Sequence, residues 1–211
     1  MDEVNHEMYQ KIKRCIDFLI SLIGFIILIP VFLILIICIK LDSRGPILFK
    51  QRRIGIHKKE FNILKFRTMR IDTPKDTPTH LLENPDMYIT RVGKLLRKTS
   101  LDELPQIINI IKGEMSIVGP RPALWNQYDL IEERDKYGAN DILPGLTGWA
   151  QINGRDELPI PIKAKLDGEY VKRCSFGFDL KCFFMTFIKV LKRDGVVEGK
   201  AQSKTAKQTN Q

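Results

Sequence analysis

An apolar run over residues 18–39 constrains this chain more than any other feature of its sequence. The run contains no charged residue, and as an α-helix it would be roughly 33 Å long, which matches the hydrocarbon core of a bilayer. Pro30 lies near its middle, where it removes a backbone donor and clashes with the carbonyl of Ile26, so a bend is expected. These residues predict a membrane-embedded helix with a break at Pro30.

Basic residues flank this run on both sides. Lys11, Lys13 and Arg14 precede it, and residues 40–70 contain ten Lys or Arg against two acidic residues. Because positive charge marks the cytoplasmic side of a membrane, both ends are expected on that side. We therefore predict a re-entrant helix-break-helix hairpin; the alternative is an ordinary signal anchor that spans the membrane and tolerates the proline.

The domain organisation follows from this segment and from the composition of the rest. We expect a basic, interfacial N-terminal segment over residues 1–15, a re-entrant membrane helix over 16–40 and one cytosolic catalytic domain over 41–199. Residues 200–211 are rich in Lys, Gln, Thr and Ser and lack apolar side chains, which predicts a disordered tail. The predicted fold class is α+β, with a mainly helical cytosolic domain that contains a small β-hairpin.

The predicted β-hairpin follows the membrane run. Residues 47–53 and 61–69 read as two strands around a turn at residues 55–59. This arrangement places Lys65 and Arg67 on one face of the second strand. That face is either a solvated strand surface or part of a phosphate-binding site.

The overall charge and the distribution of Cys and His exclude several classes of site. The formal net charge is +9, and the densest basic stretch follows the membrane run, which suits anionic lipid head groups and a phosphate-bearing substrate. The chain has no zinc-finger, basic-zipper or aromatic RNA-binding motif, so no nucleic-acid partner is expected. The four Cys form no Cys-x-x-Cys pair and the three His are scattered, so the chemistry is expected to come from carboxylates and basic groups.

Two adjacent carboxylates, Asp102 and Glu103, precede an amphipathic run of isoleucines. Ser100 and Glu103 fit a capping box, but Pro105 would then be the fifth helical residue and would interrupt the helix. The helix is therefore expected to begin at the carboxylates, with Leu101 or Asp102 as the cap. A nucleophile, a metal ligand and a plain helix cap are all open roles for Asp102.

Arg121 lies between two prolines in the motif Gly-Pro-Arg-Pro at residues 119–122. The prolines fix the backbone on both sides of the guanidinium. A preorganised Arg fork binds phosphate oxygens in pairs and loses less entropy per bond. The motif therefore suits the binding of a diphosphate.

A glycine-rich block over residues 143–155 contains the polar side chains Gln151, Asn153 and Arg155 together with Trp149. The mixture of turn residues and hydrogen-bonding groups is typical of a binding loop. The alternative is a turn-rich connector in which Trp149 is buried in the core or anchors the chain at a membrane interface.

These features, taken in chain order, resemble the monotopic bacterial phosphoglycosyl transferases, also called bacterial sugar transferases. The resemblance covers residues 8–199 and rests on the membrane run with Pro30 and on four motifs, at residues 65–69, 100–104, 119–122 and 144–155. The sequence departs from the family at Ile29, where the residue before the membrane proline is often Ser.

The resemblance implies transfer of a phosphosugar from a nucleoside diphosphate sugar, usually a UDP-sugar, to a polyprenyl phosphate such as undecaprenyl phosphate, with release of UMP. It implies a covalent phosphosugar on Asp102, with Glu103 as its partner in a catalytic dyad, Mg²⁺ as cofactor and Asp102 as a metal ligand. The implied place is the cytoplasmic face of the bacterial inner membrane, at the start of glycoconjugate synthesis. The candidate substrate-binding residues are Lys65, Arg67, Arg121, Gln151, Asn153, Arg155 and Asp179.

The sequence leaves three further points open. The rival functions are a membrane-anchored scaffold with a basic face and a nucleic-acid-binding module tethered to the membrane; both leave the carboxylate pair without a role. The sugar depends on loops over residues 72–86 and 123–140, and the oligomeric state is open, a homodimer included. The aromatic helix expected over residues 179–193 either lies along the membrane interface, beside anionic lipids, or packs in the core.

Overall fold

The computed structural model describes residues 3–73, 87–154 and 158–192, so the predicted tail and Arg155 lie outside the described residues. Within these ranges the chain is α+β, as predicted. The helices and strands, in chain order, are α1 (Glu3–Asp42), β1 (Leu48–Ile54), β2 (Glu60–Phe66), α2 (Arg91–Thr99), α3 (Gln106–Lys112), β3 (Ser116–Val118), α4 (Tyr128–Asp135), β4 (Gly145–Thr147), α5 (Trp149–Ile152), α6 (Ile160–Arg173) and α7 (Phe176–Lys192).

Helix α1 is continuous through Pro30. Residues 3–15 and 16–40 of the two predicted segments therefore lie in one helix, in which Pro30 is itself helical. The predicted bend at Pro30 and the re-entrant topology stay predictions. Pro30 removes one backbone donor, which kinks a helix without necessarily ending it. The rings of Phe25 and Phe32 lie 5.5 Å apart across this turn, and Phe32 in turn packs on Phe66 of β2.

The two faces of α1 differ in burial and in chemistry. Lys13, Asp17, Ser21 and Ile39 are buried against the rest of the chain. The helical segment Met8–Asp42 is long and apolar enough to cross a membrane, and only 17% of its most apolar 18 residues are buried against the rest of the chain. The opposite face is exposed and apolar; it consists of Leu19, Ile20, Ile23, Ile26, Ile27, Leu33, Ile34 and Ile37.

Helix α3 lies between α1 and β2. On one side Arg14 of α1 donates to the carbonyls of Ile110 and Ile111, which satisfies the open C-terminal end of α3. On the other side the Asn109 amide accepts from the Leu64 N–H and donates to the Asn62 carbonyl, both in β2. The short helix that follows the two carboxylates is thus fixed to the apolar helix and to the hairpin at once.

Strands β1 and β2 form the predicted antiparallel hairpin, with Leu48 opposite Phe66 and Ile54 opposite Glu60. A 3-10 turn over Ile56–Lys58 joins them. The second strand ends before the predicted residue 69, because Met69 pairs with Ile89 instead of continuing along β1.

Strands β3 and β4 form a short parallel pair that brings two glycine-containing segments together. A Cβ on Gly148 would lie 2.0 Å from the carbonyl oxygen of Gly119, and one on Gly145 would lie 2.1 Å from the Gly119 nitrogen. Glycine is therefore required at Gly145 and Gly148 because two backbones touch there. This contact fixes the backbone that leads into Arg121.

Candidate active site

Asp102 and Glu103 lie in a 3-10 turn, Leu101–Glu103, between α2 and α3. Ser100 ends α2 in a left-handed conformation with φ of 56°, and its side chain makes no capping bond to the turn, so the capping box is not formed. The helix expected to begin at the carboxylates begins at Gln106 instead. The reason is Pro105, which has no N–H to continue the ladder, so the residues before it close a tighter turn.

Glu103 binds two cations from distant parts of the chain. Lys65 Nζ of β2 donates to Glu103 Oε1 at 2.6 Å, and an Arg121 guanidinium nitrogen donates to the same oxygen at 3.1 Å. Burial acts to raise the pKa of Glu103, but the Lys65 and Arg121 charges outweigh it, so its pKa lies well below the usual range. Glu103 therefore stays ionised at neutral pH and holds the two cations in place.

Asp102 lies in a different electrostatic environment although it is the adjacent residue. Burial, opposed by the Lys65 charge and assisted by the Glu103 charge, raises the pKa of Asp102 to about 6. In the part of the chain that the structure describes, Asp102 makes no ion pair within 4.0 Å. It is thus a weakly hydrated carboxylate that is mostly ionised at pH 7 and has no cation bound directly to it.

Two residues that the sequence did not single out complete the site. Arg97, in the last turn of α2, donates to Thr68 Oγ1 and places a third positive charge where it acts on Asp102. The signal for it was a basic residue in the turn before the carboxylates. Asn109 was missed as well; the signal was one amide within the isoleucine stripe of α3, where it fixes α3 to β2 beside Lys65.

Two of the predicted substrate-binding residues, Arg67 and Asp179, make hydrogen bonds within the protein, away from the carboxylate pair. The Arg67 guanidinium donates to the carbonyls of Ser43 and Arg44, which fixes the turn between α1 and β1. Asp179 accepts hydrogen bonds from Tyr9, Lys13 and Tyr170, which ties α7 to α1 and α6. Neither residue is bonded to Asp102 or Glu103, and their substrate-binding roles stay predictions.

The glycine-rich block makes mostly internal contacts. Gln151 donates to the carbonyl of Leu146, and Asn153 donates to the carbonyl of Trp149. Trp149 packs on the Phe178 ring and donates to Glu169, so it belongs to the core around α6 and α7. Of the predicted site residues, the structure therefore brings together Asp102, Glu103, Lys65 and Arg121.

Comparison with known families assigns the chain. The model of the family described as bacterial sugar transferase matches residues 8–193, from α1 to the end of α7. The chain belongs to the bacterial sugar transferase family. The predicted resemblance and the prediction of a sugar transferase enzyme are thereby confirmed.

Three relatives illustrate the similarity within the bacterial sugar transferase family. EpsL of Bacillus subtilis, named as an uncharacterised sugar transferase, is 39% identical over 185 residues, which cover 88% of this chain and 90% of the relative. The exopolysaccharide production protein ExoY of Sinorhizobium fredii is 38% identical over 188 residues, 82% of this chain and 83% of the relative. The UDP-glucose:undecaprenyl-phosphate glucose-1-phosphate transferase of Escherichia coli K12 is 39% identical over 186 residues, which cover 84% of this chain but 40% of the relative.

The Mg²⁺ expected of a bacterial sugar transferase is compatible with the carboxylates present. Among residues 3–73, 87–154 and 158–192 no group of three His, Cys, Asp or Glu could hold a metal ion by itself. Mg²⁺ is often bound by one or two carboxylates together with substrate phosphates and water. Since Glu103 is occupied by two cations, Asp102 is the carboxylate that fits this role.

Proposed function

We propose that this bacterial sugar transferase moves a phosphosugar from a UDP-sugar to undecaprenyl phosphate and releases UMP, as the first step of glycoconjugate synthesis. The observation that carries the proposal is Asp102, a carboxylate with a pKa of about 6 that makes no ion pair among the described residues and lies next to Glu103, which holds Lys65 and Arg121. The Escherichia coli relative is named for this reaction with UDP-glucose, and a relative from Aeromonas hydrophila, 36% identical over 192 residues, for the reaction with UDP-N-acetylgalactosamine.

The proposed reaction has two displacements at one phosphorus. A carboxylate oxygen of Asp102 attacks the sugar-bearing phosphorus, a P–O bond forms, and the phosphoanhydride bond breaks with its electron pair leaving on UMP. A phosphate oxygen of undecaprenyl phosphate then attacks the same phosphorus and Asp102 leaves as the free carboxylate. One phosphoanhydride is broken and one is formed, so the overall reaction is near balance.

The cations around Glu103 make this attack feasible. A carboxylate and a diphosphate repel each other, and positive groups held beside the phosphorus remove that barrier without reorganising during the reaction. Lys65 and Arg121 are already held by the ionised Glu103. We assign Glu103 the role of positioning these cations, because a carboxylate with a strongly lowered pKa is a poor proton carrier at neutral pH.

Mg²⁺ is proposed as cofactor, with Asp102 and the diphosphate as its ligands. When bound, it would neutralise negative charge on the diphosphate.

The proposed location is the cytoplasmic face of the bacterial inner membrane, with α1 entering and leaving on the same side. Both ends of α1 bind one domain: Lys13 bonds Asp179, and Asp42 accepts from the Val92 N–H. A helix that crossed the bilayer would separate these contacts or carry the domain into hydrocarbon. The basic stretch after α1 would then face anionic lipid head groups.

Helix α7 supports the same placement. Phe183 packs toward the core, whereas Phe184, Phe187 and Ile188 are exposed. One face of this helix therefore packs in the core, and the other is free to lie along the membrane interface. We propose that the exposed face lies in the interface, where polyprenyl phosphates present their head groups.

Purified protein with UDP-sugar and Mg²⁺ tests the function. Without undecaprenyl phosphate, we expect about one UMP per active site and a mass increase of one phosphosugar on the peptide that contains Asp102. With lipid, turnover becomes continuous. Turnover without any adduct after rapid quenching would favour direct attack by the lipid phosphate and make Asp102 a metal ligand only. No UMP release under either condition would favour the scaffold alternative.

A further inference from the structure

The side chain of Gln106 is buried without a complete set of hydrogen bonds. It is 1% exposed, and its Nε2 has no hydrogen-bond partner in the described structure. An amide donor that is removed from water and left unpaired destabilises a fold, and such groups are rare enough in native proteins to require an explanation.

The position of Gln106 along the chain places it beside the two carboxylates. Leu104 and Pro105 have right-handed helical dihedral angles, so the 3-10 turn and α3 form one continuous spiral. Gln106 lies three residues after Glu103 and four after Asp102, which is the spacing of neighbours on one helical face. Helical side chains lean toward the N-terminus, and for Gln106 that direction leads to the carboxylate turn.

Contacts on either side of Gln106 define this face. Glu103, one turn before it, binds Lys65 of β2. Asn109, one turn after it, binds the Leu64 N–H of the same strand. Along this face Gln106 therefore lies between two residues that bind adjacent positions of β2.

Asn109 shows that a buried amide on this helix is readily satisfied. Its oxygen accepts from the Leu64 N–H, and its nitrogen donates to the Asn62 carbonyl and to Glu114. Gln106 differs from Asn109 in that its donor has no such partner among the described residues.

We propose that Gln106 Nε2 donates a hydrogen bond to a non-bridging oxygen of the phosphoryl group that is transferred. The inference rests on the proposed function and adds a substrate-binding residue to it. Lys65 and Arg121 already share their charge with Glu103, whereas the Gln106 amide is a neutral donor with no competing acceptor. It orients the phosphoryl group toward Asp102 both in the UDP-sugar and in the aspartyl phosphosugar.

Gln106→Met tests this role, because Met has a similar size and no polar donor. We expect kcat/KM for the UDP-sugar to fall by about 100-fold, the scale measured when one preorganised donor is removed from a charged transition state. We expect the Tm to stay the same or to rise, because the substitution removes an unpaired buried donor. A residue with a merely structural role would show the opposite pattern, a lower Tm with activity reduced in proportion to folded protein.

Two further variants sharpen the test. Gln106→Glu keeps the length and replaces the donor by a negative charge, so we expect a larger loss than with Met. Asn109→Leu is the matched control, because it removes a buried amide that is fully bonded; we expect its Tm to fall.

The readout is the single-turnover release of UMP in the absence of lipid, measured for wild type and for each variant. Wild-type kcat/KM in Gln106→Met would overturn the inference and leave the proposed function intact. Absence of UMP release from the wild type itself would overturn the proposed function instead. If Gln106→Met does not fold, a folded Gln106→Glu variant with wild-type kcat/KM would equally overturn the inference.

Discussion

Lys65 is bonded to Glu103 and not to the adjacent Asp102: its ammonium lies 2.6 Å from Glu103 Oε1. Because of this pairing, the pKa values of the two neighbouring carboxylates shift in opposite directions. Glu103 is held ionised by two cations, while the pKa of Asp102 is raised to about 6 by burial and by the charge of Glu103. Pairs of carboxylates whose pKa values are pushed apart are typical of sites where the two have different tasks.

The raised pKa of Asp102 predicts the pH dependence of the first displacement. Protonated Asp102 cannot attack phosphorus. The second-order rate constant for UMP release at low UDP-sugar concentration reports the free enzyme, before the diphosphate and Mg²⁺ bind, so it should be flat above pH 7 and fall about tenfold per pH unit well below pH 6. The measurement omits undecaprenyl phosphate, because a phosphate monoester also titrates near pH 6. A rate that is independent of pH from 4.5 to 8 would show that Asp102 is not the attacking group.

Asp102→Asn should remove activity and stabilise the fold. The folded-state pKa of about 6 lies above the ordinary pKa of an aspartate, so the stability linked to this group is present at low pH and is lost as the pH rises through 6. The Tm of Asp102→Asn relative to wild type should therefore increase between pH 4 and pH 7, while UMP release falls by about 1,000-fold or more. Scanning calorimetry or fluorescence melting in detergent checks the sign. An equal Tm difference at both pH values would contradict it.

Arg121→Lys keeps the charge beside Glu103 but loses the planar fork. Since Lys cannot make paired bonds to phosphate oxygens, we expect kcat/KM for the UDP-sugar to fall by about 10-fold to 100-fold with little change in Tm. Arg70→Lys is the matched control, because Arg70 is exposed and pairs with Asp72 on the surface. Wild-type turnover of Arg121→Lys at low UDP-sugar concentration would make Arg121 a structural residue only.

Asp179→Asn should act on stability rather than on substrate binding. Lys13 is 7% exposed, and without the Asp179 charge its ammonium keeps only the more distant Asp17 carboxylate, at 3.7 Å. The loss of the charged hydrogen bond is expected to cost about 2 kcal/mol. The double variant Lys13→Met/Asp179→Leu also removes the cation beside the buried Asp17, so its Tm should lie below that of Asp179→Asn. A higher KM for the UDP-sugar at unchanged Tm would instead support the substrate-binding role predicted for Asp179.

Cysteine labelling tests the proposed topology of α1. After replacement of the four native cysteines, single reporters at the exposed positions Lys11 and His57 should both be protected from an impermeant reagent in intact cells and labelled after permeabilisation. Pro30→Leu restores one backbone donor; we expect both reporters to stay protected, because α1 is bonded to the domain near both ends. Labelling of one reporter alone in the wild-type background would make α1 a spanning helix.

The sequence by itself determined the local elements of this protein. The apolar run without charge predicts α1, and the turn between two strand-forming segments predicts the β1–β2 hairpin, as the structure confirms. The adjacent carboxylates and the proline-framed arginine were recognisable as candidate site residues because each motif is contiguous in the chain. Such features depend on neighbours within a few residues, which a sequence displays directly.

Only the tertiary structure decided which partner each charged group takes. Lys65 is 38 residues from Glu103, and Lys13 is 166 residues from Asp179. These pairings depend on how α3 packs against β2, through the bonds of Asn109 to Leu64 and Asn62, and on how α1 packs against α7. Burial then sets the two carboxylate pKa values in opposite directions, because the cost of removing a charge from water depends on which cations the packing brings beside it.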